Sequence, residues 1–283
     1  MLKNVKCARC VRCGKEYEAV PNLTNCSCGG ILDIVYDYDY IKAHLTKETL
    51  KNRVNPTMWR YRELLPVEET TPDTPLRVGW SPLYEEPKLA EQLGLGRLWV
   101  KDDGINPTAS LKDRASAMAV AKAHEAGAKI IACSSTGNAA SSLAGNAAAA
   151  GFKTYIFVPE RAPKGKVAQL MIFGANVISV KGNYEETFKM SAEPLKMGLV
   201  QPQRSHQPVS VRGQEDCFPR NCRAVELGNA RLSGDLRRRR LHHRGCVEGT
   251  EGPVRHRLHR QAAAPHFRTV YRLLPHQPRH SGE

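Results

Sequence analysis

Apolar and polar positions alternate in an orderly way along the middle of this chain. Leu98-Trp99-Val100 is a short apolar run that predicts a buried strand, and the stretch after Arg114, Ala-Ser-Ala-Met-Ala-Val-Ala-Lys-Ala-His, is rich in helix formers. The pattern then predicts strand over 129–134, an alanine-rich helix over 138–150, strand over 153–158, helix over 164–173, strand over 176–180 and helix over 184–195. Strands alternating with helices of about ten or more residues imply βαβ crossovers. The expected fold is therefore α/β with a parallel sheet, and ligands of such sheets gather at the carboxyl ends of the strands.

Upstream the signals are more local. Cys10-x2-Cys13 and Cys26-x-Cys28 are spaced like the two knuckles of a small zinc ribbon, with Cys7 as a spare thiol. The second pair lacks the usual two-residue gap, so plain reduced cysteines are the alternative. Residues 39–71 read as helices with polar faces, and Gly79-Trp80-Ser81-Pro82-Leu83 as a turn before a helix ending near Gly94. Three regions result: a Cys-rich segment over 1–38, the main α/β region over 39–196, and a tail over 197–283.

Composition adds a compartment and a discontinuity. No apolar run approaches the roughly 20 residues that span a bilayer, and Met1–Cys10 lacks the apolar stretch of a secretory signal. A cytoplasmic protein is expected, and its nine cysteines are then thiols or metal ligands rather than disulfides. The formal net charge is +14, yet residues 197–283 hold 16 Arg, no Lys and only 7 acidic residues. Apolar periodicity disappears over the same stretch, leaving a basic, low-order tail as the literal reading.

The candidate chemistry sits between the first strand and the helix after it. In Lys101–Arg114, the residues Gly104, Asn106, Pro107, Thr108 and Ser110 favour a turn and offer polar groups, and Lys112 stands where the helix starts. A lysine there can serve as a Schiff-base former; the plainer alternative is a surface lysine paired with Asp113. A second polar turn, Ser134-Ser135-Thr136-Gly137-Asn138, follows the next strand. It could converge on an anion or simply cap a helix. Cys133 reads as a small buried apolar residue.

Asn106-Pro107-Thr108-Ala109-Ser110-Leu111-Lys112-Asp113-Arg114 resembles the N-P-T-G-S-F-K-D-R segment of fold-type II pyridoxal-phosphate enzymes, with Ala109 for the commoner Gly and Leu111 for the commoner Phe. Ser135–Asn138 resembles the asparagine loop of the same enzymes. Among them the threonine synthases are most similar, since Cys10–Gly14 and Cys28–Gly30 running into Leu32–Tyr38, and Met58–Pro66, also resemble their sequences. The resemblance covers roughly 7–196. It implies that Lys112 carries the cofactor as a Schiff base and later moves protons. It further implies that Asn138 bonds the ring's phenolic oxygen, and that Ser135, Thr136 and the amides near Gly137 hold the substrate carboxylate. Ser81, where the family has Thr, would lie near substrate. The implied reaction turns O-phospho-L-homoserine and water into L-threonine and phosphate. Another pyridoxal-phosphate lyase, of threonine dehydratase or cysteine synthase type, is the second reading. Arg60 and Arg62 read as solvated surface, while Arg114 and Lys101 are candidates for assisting anion binding.

The tail admits a test against the genetic code. Read one base later, Gln214–Cys217 permits Lys-Lys-Thr-Val, Arg240–Gly249 permits Gly-Cys-Thr-Ile-Gly-Gly-Val-Trp-Lys-Gly, and Arg272–His280 permits Gly-Cys-Cys-Pro-Ile-Asn-Arg-Ala-Ile. Met197-Gly198 likewise permits Trp-Gly. These strings also resemble threonine synthase, including its glycine-rich phosphate loop, so one extra base near codon 196 accounts for the tail. The phosphate loop, and the later segment that supplies a hydroxyl to the pyridine nitrogen, are then absent from the protein as written, which is expected to be unstable and largely inactive. A third reading takes the tail at face value as a nucleic-acid binder on a disabled enzyme; its lack of interleaved aromatics disfavours this. A small-molecule substrate and no membrane partner are expected, with a homodimer as one option for assembly.

Overall fold

A computed structural model describes residues 2–20, 23, 25–191 and 269–273. They fall into two units, one drawn from 1–80 and 106–191, the other from 81–105 and 269–273. The boundary expected at residue 196 and the phosphate loop of the shifted frame lie outside the described residues.

The first unit begins with a three-stranded antiparallel ribbon. Val5–Cys10 (β1) pairs with Glu16–Tyr17 (β2) on one side and with Leu32–Tyr36 (β3) on the other. Period-2 alternation puts Ala8, Cys10, Leu32, Ile34 and Tyr36 into one small core with Cys26 and Ile41. Helices Tyr38–His44 (α1) and Lys47–Asn52 (α2) follow. A 3-10 segment, Met58–Leu64, then receives the ribbon: Asn4 donates to the carbonyls of Glu63 and Leu65 at 3.0 and 2.8 Å, and the Tyr36 hydroxyl to that of Leu64 at 2.7 Å.

The polar faces expected over 39–71 do not hold for this 3-10 segment. Met58, Trp59 and Tyr61 are buried, and Arg60 is buried with them. Its guanidinium lies 3.9 Å from the centre of the Trp80 ring and donates to the Leu50 carbonyl at 2.7 Å, which gives the buried, delocalised cation an aromatic face and an acceptor.

In the second unit Leu83–Glu85 (β4), helix Pro87–Gln92 (α3) and Arg97–Lys101 (β5) succeed one another. A strand thus intervenes where the turn at 79–83 was expected to enter a helix directly. β4 is only three residues long and antiparallel to β5, a pairing too short to leave a periodic trace. The described tail residues Thr269–Leu273 form a strand against the other edge of β5.

The remainder of the first unit is the α/β layer. Lys112–Glu125 (α4) leads to Ile130–Ser134 (β6), Asn138–Ala149 (α5), Lys153–Pro159 (β7), Lys164–Ile172 (α6), Asn176–Val180 (β8) and Tyr184–Met190 (α7). Strands β6, β7 and β8 are parallel and in that order, as the alternation predicts. Helix α4 is buried along almost its whole length because it separates two cores. Ala119, Val120 and Ala123 face the cluster of Ile131, Leu143, Ile156 and Leu170, while Ala117, Met118 and Ala121 face Met58, Trp59, Leu65 and Val78. Small residues on both sides let these layers approach closely. At its C-terminal turn Lys122 and Glu125 form a buried ion pair. Glu125 also accepts from the Glu68 amide at 2.8 Å and the Thr71 hydroxyl at 2.6 Å, which compensates its desolvation.

Candidate active site

Lys112 is the first residue of α4, and the turn before it is held from inside. Asn106 is buried and accepts from the Gly79 amide at 3.0 Å, while its own carbonyl closes a turn on the Ala109 amide at 2.7 Å. Ser110 turns its hydroxyl back to accept from the Lys112 amide at 3.2 Å.

Asp113 is the anchor. Its carboxylate is fully buried and accepts from the Thr108 amide at 2.8 Å, the Thr108 hydroxyl at 2.7 Å, the Ser142 hydroxyl at 2.7 Å and the Asn146 side-chain amide at 3.0 Å. Four donors on one buried carboxylate supply what water would have given it. The network has two consequences. It fixes the backbone on which Lys112 rides, and it ties the lysine turn to α5, whose first residue is Asn138. Close approach is needed there: a Cβ on Gly145 would meet the Thr108 methyl at 2.9 Å. The plain pairing of Lys112 with Asp113 is thus not the carboxylate's main employment.

One position in this turn is strained. Ala109 has φ = 55°, in the left-handed region that glycine occupies without penalty. Ala109→Gly is expected to stabilise the chain by about 1 kcal/mol, read as a rise of about 2–4 °C in Tm. An unchanged or lower Tm would show that the turn does not carry this strain.

The second polar turn leaves β6 at its carboxyl end, as the parallel-sheet rule requires. Ser134 is buried, and its hydroxyl has no hydrogen-bond partner among the described residues. Ser135, Thr136 and Gly137 are half-buried, and the Ser135 hydroxyl accepts from the Gly137 amide at 3.2 Å. Gly137 is the N-cap of α5 and provides no side-chain cap, so the dipole's positive end at this turn is not masked by a capping hydroxyl. Asn138 is exposed and accepts from the Lys166 ammonium at 3.3 Å. Cys133, just before the turn, is fully buried, and burial pushes its thiol up to about 12. It is a packing residue with no nucleophilic role.

Ser81 belongs to the second unit. It is 2% exposed, its hydroxyl donates to Asp103 at 2.7 Å, and its carbonyl accepts from the Lys101 ammonium at 3.2 Å. Lys101 and Arg114, candidates for anion binding, are both buried. Cys10, Cys13, Cys26 and Cys28 converge in the ribbon, all four sulfurs lying within 4.8 Å of one another. The positioning residues Asp113, Ser142, Gly145 and Asn146 were not anticipated. Ser142 and Asn146 did leave a signal, two polar residues at i and i+4 on an alanine-rich helix.

Comparison with known proteins bears on this arrangement. Residues 75–219, about half the chain, match the family model described as pyridoxal-phosphate dependent enzyme. A threonine synthase of Methanocaldococcus jannaschii is 40% identical over 208 residues, 73% of this chain and 51% of that protein. One from Methanosarcina acetivorans is 38% identical over 209 residues, covering 73% and 50%. The chain spans about half the length of the curated relatives it matches. Among solved structures, maize serine racemase aligns with a TM-score of 0.48 at 20% identity, over 52% of this chain and 45% of that one. With a lysine at the head of α4, a polar turn at the carboxyl end of β6 and a family match over half its length, the chain belongs to the pyridoxal-phosphate dependent enzymes.

Proposed function

We propose that this chain is a threonine synthase, a cytoplasmic lyase that converts O-phospho-L-homoserine and water to L-threonine and phosphate, and that it is largely inactive in the form written here. The observation that carries the reading is the buried Asp113 network, which holds Lys112 at the start of a helix locked to the one that begins with Asn138.

The described residues fit part of what pyridoxal phosphate requires. Lys112 would hold it covalently, Asn138 would face the phenolic oxygen of its ring, and the Ser135–Gly137 turn would receive the substrate carboxylate. The buried, unpartnered Ser134 hydroxyl beside that turn is a further polar group in want of a partner. The bound ring supplies an electron sink for charge developing at the substrate's Cα. Lys112 Nζ would take one proton from Cα and one from Cβ as phosphate leaves Cγ, and would return one to Cγ, which becomes the methyl group; water then adds its hydroxyl at Cβ and Cα regains a proton. The α5 N-terminus favours the substrate's negative carboxylate at the Ser135–Asn138 turn.

The low activity follows from what the sequence lacks. A ring held only at its aldehyde and phenolic ends is poorly oriented, and orientation carries much of the rate. A substrate screen with product analysis tests the assignment: the chain supplied with excess pyridoxal phosphate is given O-phospho-L-homoserine, L-threonine, or O-acetyl-L-serine with sulfide. Slow release of phosphate with threonine from the first alone is expected. Turnover of L-threonine to an oxoacid, or of O-acetylserine, would replace this reading with the dehydratase or cysteine synthase type.

A further inference from the structure

The sulfur cluster in the N-terminal ribbon is unrelated to the lysine site, and its geometry has an independent meaning. The Cys10 and Cys28 sulfurs are 3.7 Å apart, Cys13 and Cys26 3.5 Å, and Cys13 and Cys28 3.5 Å. A disulfide would require about 2.05 Å and would join only two of the four. A zinc ion bound by four thiolates at about 2.3 Å places its ligands on tetrahedral edges of about 3.8 Å. These three separations are close to that edge, and all four sulfurs lie within 4.8 Å of one another.

The backbone around the cluster is shaped for such a centre. Gly14 and Gly29 have φ of 74° and 76°, so the chain reverses immediately after Cys13 and after Cys28, and each reversal presents a pair of sulfurs to the same point. The Gly14 amide donates to the Cys10 carbonyl at 3.0 Å and the Gly29 amide to the Cys26 carbonyl at 2.8 Å, so each turn closes on the first cysteine of its pair, over four residues where two intervene and over three where one does. Gly30 keeps the space open: a Cβ there would lie 2.6 Å from the Cys10 sulfur and 3.2 Å from that of Cys28. The Arg12 amide donates to the Cys10 sulfur at 3.4 Å, and the Tyr17 hydroxyl lies 3.0 Å from the Cys26 sulfur, to which it would donate once that sulfur is a thiolate. Such donors offset the negative charge that four thiolates retain around one divalent ion.

We propose that Cys10, Cys13, Cys26 and Cys28 bind one zinc ion in a closed, structural site. The site leaves no ligand position for water, so it contributes folding free energy rather than chemistry. The ribbon's own core is small, and the ribbon docks on Met58–Leu64, which packs in turn against α4. Zinc therefore secures the support on which the helix bearing Lys112 rests. Cys7 takes no part, since it lies on β1 three residues before Cys10 and so faces the other side of the strand.

The test uses the full chain, reduced, unfolded and refolded with Co(II) alone, then with Zn(II). The expected result is a cobalt spectrum with thiolate charge-transfer and tetrahedral d–d bands, displaced by about one equivalent of zinc. Cys7→Ser should retain this and Cys26→Ser should lose it. Because Cys26 also belongs to the ribbon's core, an alkylation map of the unmutated chain gives a readout independent of folding: zinc should protect Cys10, Cys13, Cys26 and Cys28 from iodoacetamide and leave Cys7 reactive. An octahedral cobalt spectrum, protection of Cys7 in place of one of the four, iron as the metal retained from the cell, or no zinc-dependent protection would each overturn the proposal.

Discussion

Lys112→Ala is expected to abolish covalent loading of pyridoxal phosphate on this chain. With the cofactor supplied and the complex reduced by borohydride, the unaltered chain should yield one labelled peptide, the one containing Lys112, and the variant none. Where the protein is active, turnover of O-phospho-L-homoserine should fall by at least about 10³-fold, the scale of losing a positioned proton carrier together with the covalent anchor. Folding gives no competing explanation: Lys112 is half-buried at the first position of α4, alanine is the better helix former, and the turn is held by Asp113, Asn106 and Ser110, which remain. The instructive alternatives are Lys166, whose ammonium already bonds Asn138, and the buried Lys101. Label on either in the unaltered chain would move the catalytic lysine and dismantle the site described above.

How far the sequence anticipated this arrangement depended on the range of the forces involved. The parallel layer was legible because period and propensity act locally: β8 coincides with the expected 176–180, and β6, α5, β7 and α6 differ from expectation by a residue at one end. Position 109 stood out only through the family resemblance, as Ala where Gly is commoner, and its positive φ gives the physical reason for the glycine. What stayed hidden depended on distant partners. Asp113 beside a lysine suggests an ion pair, whereas its donors come from Thr108 and from a helix nearly thirty residues on. Arg60 suggests solvent until Trp80, twenty residues later, folds over it. β4 exists only through pairing with β5, because three residues cannot declare a period. The cysteine cluster lies between these cases: the spacing suggested it, and only the two glycine reversals explain how an unequal second knuckle still closes.

Removing one base near codon 196 is expected to convert this chain into an active enzyme. The reasons are separate from the lysine. Past that codon the chain exchanges a mixed Lys and Arg composition for 16 Arg and no Lys, and several stretches regain a threonine synthase-like reading when shifted by one base. The matched portion makes up about half the length of the threonine synthases of Methanocaldococcus jannaschii and Methanosarcina acetivorans. The shifted stretch Arg240–Gly249 carries the glycine-rich loop whose amides would cradle the cofactor phosphate, the anchor that the described residues do not supply. On the proposed roles of Lys112 and Asn138, adding that anchor would fix the ring at three points instead of two, and an orientational gain of this kind is worth at least about 10²-fold in rate. The restored protein should also be more soluble, since strands that complete a sheet remove open edges. Both forms can be expressed side by side and assayed for phosphate release, with the Lys112→Ala form of each as the blank. If the restored frame gives no gain over the chain as written, the frame change is not what limits activity, and the basic tail of 197–283 then has to be understood as a part of this protein in its own right.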